Sequence, residues 1–374
     1  MVPIPLCDLD AQHQPLRVEL EAAFQRVLRS SRFVLGPEVE AFEREVAAAI
    51  GVDHAVGVSS GTDALLAMLM ALGLGPGDEV VTTPFSFFAT VEAILRVGAR
   101  PVFADIEAET FNLDPDQAAS GLGPRTKAIL VVHLFGQPAH TGALGATARG
   151  AGIPLLEDAA QAIGARALHP AGTPPVGALG LAAALSFHPS KNLGGLGDGG
   201  MVLTSDRSFA ERVRMLRAHG SREKFLHAAV GGNFRLDELQ AALLRVKLPH
   251  LAVWNTERRR IAGLYLEELA ELPLRLPATD AGGVWHQFVV RVPDGRRDLL
   301  ARHLQDRGVA TAVYYPVPLH LQPALAALGG RPGQFPRAEQ AARETLALPI
   351  HPELSADRLR HVCESVRSFF TGAR

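Results

Sequence analysis

Between residues 54 and 204 two patterns of apolar and polar positions alternate along the chain. Short runs that are apolar nearly throughout (HAVGVSS, DEVVTTPF, RPVFADI, KAILVVHLF, IPLLED, AALSF and MVLTSD) predict strands covered on both faces. Between them GTDALLAMLMALG, TVEAILRVG and residues 140–151 carry apolar residues at helical spacing and predict helices. The alternation predicts an α/β fold, a mostly parallel seven-stranded sheet with helices on both faces, in which ligands belong at the carboxyl ends of strands. From 236 to 272, LDELQAALLRVKLPHLAVWNTERRRIAGLYLEELAEL keeps helical periodicity and predicts one long connecting helix. After Pro277 the pattern changes to WHQFVVRVP, RRDLLARHLQDRG, VATAVYYPVPL and two further helical stretches ending in ADRLRHVCESVRSFF, a small α/β domain. The expected division is a large domain with an N-terminal segment over 1–250 and a smaller one over 251–374.

Composition narrows the classes. With 374 residues, 47% of them hydrophobic, the chain can bury a large core, which excludes disorder. A net charge of −2 gives no electrostatic case for nucleic acid or an anionic membrane. Runs such as AILVVHLFG at 128–136 are too short to span a bilayer, and MVPIPLCDLD lacks a basic segment followed by an apolar one, so a cytoplasmic protein is expected. Cys7 and Cys363 stand at opposite ends without paired spacing, and the 14 histidines include no HExxH pair, so neither a disulfide framework nor a metal site is expected.

Chemistry concentrates in SFHPSKNLGGLGDGGMVLT. Lys191 follows a short strand and precedes Gly194, Gly195, Gly197, Gly199 and Gly200, a backbone able to pass close to a flat ligand, where a Schiff-base lysine is expected. The plain alternative is a solvated lysine on a turn. Asp158 ends the run IPLLED, and Gln161 lies three residues on. The pair reads either as a capping box opening a helix or as a carboxylate at the sheet's top facing a pyridine nitrogen, which it would keep protonated. Ser59 to Asp63 form a turn feeding a helix. Gly61 and Thr62 offer backbone N–H groups there for a phosphate, though an ordinary N-cap has the same residues. Ser186 can add a hydroxyl to that phosphate or be a satisfied serine, and Phe87 can stack on a ring or belong to the core. No GxGxxG follows the first strand and no Walker-type lysine follows the turn, which weakens nicotinamide and nucleoside triphosphate readings.

In that order, phosphate turn, aromatic, strand-end Asp-x-x-Gln and Ser-x-x-x-x-Lys, the chain resembles the fold-type I pyridoxal phosphate enzymes, and more narrowly the DegT-type sugar aminotransferases. FVLGPEVEAFE, SSGTDAL, GDEVVTTPFSFFAT, HLFGQPA, EDAAQAIGA, NFRLDELQAALLRVKL, YYPVPLHLQP and FPRAEQAARETLALPIHP all stand where that family has its motifs. The resemblance implies pyridoxal 5'-phosphate as cofactor and transamination as activity. Lys191 becomes the lysine bonded to the cofactor, Asp158 the partner of the pyridinium, Gln161 the neighbour of the ring hydroxyl, and Phe87 the stacking ring. Gly61, Thr62 and Ser186 become the phosphate holders. Asn233 in GGNFRLDELQ stands where the family's neighbouring subunit supplies an asparagine, implying a homodimer with shared sites. Read plainly, Asn233 and Arg235 are loop before a helix capped by Asp237 with Gln240. Glutamate is implied as amino donor and a nucleotide-linked keto-sugar as acceptor. The LGDGG segment is similar to the 3-amino branches, and FFAT, GQPA and LHLQP to enzymes acting on a UDP-3-keto-N-acetylhexosaminuronate. Arg235, Tyr314, Tyr315 and His320 are the substrate candidates. Tyr314 departs from the histidine that related branches carry before Tyr-Pro. The alternatives are a 4-keto-sugar aminotransferase and a non-catalytic regulatory protein on the same scaffold, for which no DNA-reading module is visible.

Overall fold

The computed structural model describes residues 3–167, 172–223, 225–278 and 282–372. The seven predicted strands all form: β1 (His54–Val58), β2 (Glu79–Thr82), β3 (Arg100–Phe103), β4 (Thr126–Val132), β5 (Leu155–Asp158), β6 (Ala182–Ser186) and β7 (Gly200–Thr204). They make one sheet in the order β1-β7-β6-β5-β4-β2-β3, parallel from β3 to β6, with β7 antiparallel to both of its neighbours. Because successive side chains of a strand point to opposite faces, the apolar runs feed two cores. Ala183, Leu185, Met201 and Leu203 pack on one face with Phe42, Val46 and Leu244. Ala182, Ala184, Val202, Val56 and Val58 pack on the other against Leu65, Met68 and Leu69 of helix Gly61–Leu72. Fully burying one such Leu or Phe is worth about 1.5–3 kcal/mol.

Two expectations are corrected. The stretch 236–272 is not one helix: Glu238–Lys247 and Leu251–Glu268 are separated by a 3-10 turn at Leu248–His250. Pro249 has no N–H to donate and its ring collides with the preceding turn. The segment after Asp158 forms turns rather than a helix: Asp158 Oδ1 accepts from Ala160 N two residues on, and Gln161 turns its Oε1 to Phe135 N instead of back to Asp158.

The C-terminal part is built on β10 (Phe288–Arg291) and β11 (Thr345–Leu348), antiparallel, following a small hairpin of β8 (Ser221–Glu223) and β9 (Leu226–His227). Residues 309–319, which contain Pro316 and Pro318, meet this sheet at one isolated bridge, Ala312 with Ala347. The C-terminal cluster gathers Ile261, Tyr265, Phe288, Val290, Leu346, Leu348 and Val362, and also Ile4. Ile4 is tied in by its own backbone: its N–H donates to Gly308 O at 2.7 Å and its carbonyl accepts from Ala310 N at 2.9 Å.

The loop after β4 meets the segment entering β10 backbone to backbone. Val284 N donates to Gly136 O at 2.9 Å and Gln287 N to Phe135 O at 3.3 Å. Gly136 sits at φ +86°, and a Cβ there would lie 2.8 Å from His286 N. Only glycine satisfies both conditions.

Candidate active site

Asp158 closes β5 between β4 and β6, so its carboxylate stands at the carboxyl edge of the parallel strands. It is buried, and both oxygens are engaged: Thr90 Oγ1 donates to Oδ2 at 2.8 Å and Ala160 N to Oδ1 at 3.2 Å. Burial pushes its carboxyl above the usual range, outweighing the Thr90 and Ala160 hydrogen bonds and the pull of Lys191 and His133. Its neighbour Glu157 points to the opposite face, where it accepts N–H groups of Gly177, Leu179 and Gly180 and bonds His133 Nε2 at 3.0 Å. Burial alone would raise the Glu157 carboxyl, yet these donors hold it below the ordinary value. One strand end thus carries two buried carboxylates with opposite shifts.

Lys191 lies on the glycine-rich loop between β6 and β7. Its amine has no hydrogen-bond or ion-pair partner among the described residues. Desolvation draws its pKa down to about 8, against the opposing attraction of Asp158. Lys247 Nζ anchors the same loop by donating to Gly194 O at 2.6 Å.

Gln161 accepts from Phe135 N through Oε1 at 2.6 Å, and its Nε2 donates to Tyr315 Oη at 3.3 Å. Tyr315 is buried enough that its hydroxyl stays protonated far above the usual range, and its ring lies 6.4 Å from that of Phe87. Phe87 is 58% exposed, with a face free for a planar ligand. At the other end of the cleft Ser60 caps helix Gly61–Leu72, accepting from Asp63 N at 3.0 Å, while Ser59 Oγ donates to Asp63 Oδ2 at 2.6 Å. A Cβ on Gly61 would come within 2.7 Å of Ser186 Cβ, so only glycine lets the helix start, with Thr62 next to it, approach the end of β6 this closely.

Other candidates lie apart. Asn233 is exposed and accepts from Arg235 Nε at 2.7 Å, and neither bonds to the Lys191 and Asp158 group. The capping box expected at Asp237 does not form: Gln240 Oε1 instead accepts from Leu196 N at 2.9 Å on the lysine loop. Tyr314 is partly buried with its ring 5.8 Å from Tyr315. His320 is buried, its Nε2 3.2 Å from Glu339 Oε1 and its ring on Phe335. Sequence reasoning missed Thr90 and Ser86, which sit inside the same SFFAT segment that drew attention to Phe87, and His286, read only as part of a strand.

The pattern of the DegT/DnrJ/EryC1/StrS aminotransferase family matches residues 15–367. The chain belongs to that family. It is a pyridoxal phosphate-dependent sugar aminotransferase of α/β fold. Among the family's members, a dTDP-3-amino-3,4,6-trideoxy-alpha-D-glucose transaminase of Streptomyces venezuelae is 47% identical, over 98% of this chain and 96% of its own. A UDP-N-acetyl-3-dehydro-alpha-D-glucosamine 3-aminotransferase of Acidithiobacillus ferrooxidans is 43% identical, over 99% and 98%. A Geobacillus stearothermophilus member described as a pleiotropic regulatory protein is 46% identical, over 98% of each chain. In structure the chain is similar to S. venezuelae DesV in complex with a ketimine intermediate, with a TM-score of 0.95, 47% identity and 99% of both chains covered. The family's cofactor suits what these residues offer: an unpartnered amine of lowered pKa near a buried carboxylate, an exposed aromatic ring and the N-terminus of helix Gly61–Leu72. No helix among the described residues is long and apolar enough to cross a membrane.

Proposed function

We propose that the protein transfers an amino group from glutamate to the 3-keto carbon of a nucleotide-linked hexose. The observation that carries this reading is the unpartnered, readily neutral amine of Lys191 near the buried carboxylate of Asp158. The choice of carbon is supported by the two relatives whose names specify amination at position 3, one on a dTDP-sugar and one on a UDP-sugar. The UDP-3-keto-N-acetylhexosaminuronate is the acceptor that the sequence segments favour.

When bound, pyridoxal phosphate supplies the aldehyde that takes the amino group and a ring that accepts an electron pair. Everything else falls to the chain. Lys191 Nζ would hold the cofactor and, when released from it, would serve as the base that takes up a proton and the acid that returns it. An amine with pKa about 8 does both near neutrality. Asp158, held by Thr90 and Ala160, supplies the negative charge that keeps the ring nitrogen protonated. Gln161 has its Oε1 committed to Phe135 N, so its Nε2 is the end that donates to the ring hydroxyl. Phe87 covers one ring face. Gly61, Thr62 and Ser186 take the phosphate at the helix start.

Asn233, exposed, and Arg235, half-buried, whose side chains bond each other, suit a site completed across a homodimer, with Asn233 reaching the neighbour's phosphate and Arg235 its substrate. Tyr314 and Tyr315 are the substrate contacts on the C-terminal side. His320, already engaged by Glu339, shapes that side from behind.

The test is the purified protein loaded with cofactor and glutamate, offered UDP- and dTDP-linked 3-keto and 4-keto hexoses. Amine product from a 3-keto sugar is expected. Product from 4-keto sugars alone, or from none, overturns the reading.

A further inference from the structure

Asn192, the residue after Lys191, is buried with its side chain committed on three sides. Its Nδ2 donates to Asn255 Oδ1 at 2.8 Å and to Val284 O at 3.0 Å. Turning the amide over would set its oxygen against two acceptors, so the orientation is fixed. Oδ1 is then left to accept from His286 Nδ1 at 3.2 Å, which makes Nδ1 the protonated ring nitrogen and leaves a lone pair on Nε2.

The three partners come from two parts of the fold. Asn255 belongs to helix Leu251–Glu268 and donates onward to Ile163 O at 3.1 Å, just past the Asp158 to Gln161 turn. Val284 and His286 belong to the segment entering β10, which is fixed by Val284 N on Gly136 O. Arg258 Nη1 fixes it too, reaching Trp285 O at 3.3 Å, His286 O at 3.5 Å and Ile350 O at 2.8 Å.

We propose that His286 is a positioning residue for Lys191: as a neutral, Nδ1-protonated imidazole it holds Asn192, and so ties the reach of the lysine amine to the seating of the C-terminal segment on the sheet. The inference rests on Lys191 being the cofactor-linked lysine. The charges around the ring agree with its assigned state. Burial first, then the positive Lys191 and Arg258, and His188, push the His286 pKa well below the ordinary histidine value. The ring therefore stays neutral through the working range, and the clamp does not titrate. What titrates behind it is Lys191, which answers to Asp158.

His286→Asn places an amide nitrogen near the position of Nδ1 and keeps a donor for Asn192, whereas His286→Leu removes the donor at similar volume. In H286L, kcat is expected to fall about 10- to 100-fold, the usual cost of losing a hydrogen bond behind a reacting group, with KM for the keto-sugar changed far less. H286N is expected to recover most of that loss. A second reading needs no turnover. In cofactor-free protein, the acylation rate of Lys191 against pH, followed by mass spectrometry of its peptide, has its midpoint near the amine's pKa. Loosening the loop admits water, and the midpoint in H286L moves up by about one unit toward that of a free lysine, but stays in place in H286N. If H286L does not fold, His286→Phe keeps a ring at the site, removes the donor while leaving the Asn192 bonds to Asn255 and Val284, and is read the same way. H286L with the parent's kcat and midpoint, or H286N falling as far as H286L, overturns the proposal. A parent protein without turnover on any keto-sugar counts against the proposed function instead, since the acylation midpoint is read independently.

Discussion

Thr90 Oγ1 donates to Asp158 Oδ2 at 2.8 Å, and Ser86 Oγ lies 2.9 Å from the same Thr90 hydroxyl. The carboxylate at the end of β5 is thereby aimed by the segment that follows β2, two strands away in the sheet. Its direction is set before any ligand arrives, which spares a bound cation the cost of orienting it.

Thr90→Val keeps the shape and removes the donor. A hydrogen bond to a charged group is worth about 1.5–3 kcal/mol, so kcat/KM for transamination is expected to drop roughly 10- to 100-fold, with weaker cofactor retention on dialysis. Values within twofold of the parent would show that Ala160 N alone suffices to hold Asp158.

Asp158→Asn retains an acceptor for Thr90 but removes the charge. Cofactor should still join Lys191, visible as an absorbance band, while kcat falls on the order of 10²- to 10³-fold, as for other losses of preset electrostatic stabilisation. Lys191→Ala, by contrast, should lose both band and turnover. An active Lys191→Ala protein would remove the lysine from the reaction.

The Lys191 amine, with its pKa lowered to about 8, gains nucleophilicity as pH rises. Uptake of pyridoxal phosphate by cofactor-free protein should quicken close to tenfold per pH unit well below 8 and level off above it. The sign of a second shift follows: Asp158 raises the Lys191 pKa, so D158N should move the plateau to lower pH. Stopped-flow absorbance across pH 6 to 10 reads both, and a plateau above pH 10 in the parent would contradict the depressed pKa.

Gly136→Ala meets two penalties, a left-handed backbone at φ +86° and a Cβ 2.8 Å from His286 N. The backbone alone costs about 1–2 kcal/mol. A lower thermal unfolding midpoint and reduced activity are expected together, because the displaced backbone carries His286. Unchanged melting would mean the loop yields without strain.

The β-rich runs revealed the sheet because strands covered on both faces must be apolar nearly throughout, and Asp158 stood out because it ends such a run, Lys191 because it stands between such a run and five glycines. Other features were hidden for identifiable reasons. Helical periodicity persists across Pro249, so the break at Leu248–His250 left no mark in the apolar pattern. Asp237 with Gln240 has the spacing of a capping box, but Leu196 N offered Gln240 a better use in three dimensions. His286 lies far from Lys191 in sequence, and nothing in WHQFVV announces that its ring returns to Asn192. Thr90 was concealed by its ordinariness: a threonine opening a helix needs a fold around it before its hydroxyl has a direction.

The pairing of Ile4 with Gly308 and Ala310 has a consequence for biogenesis. A ribosome delivers the opening residues long before their docking partners, so this tether closes only after most of the polypeptide has emerged. Val284 and His286, which grip Asn192, also arrive late. Newly made copies whose sheet has already formed therefore wait for the last third of translation before the lysine loop acquires its finished support.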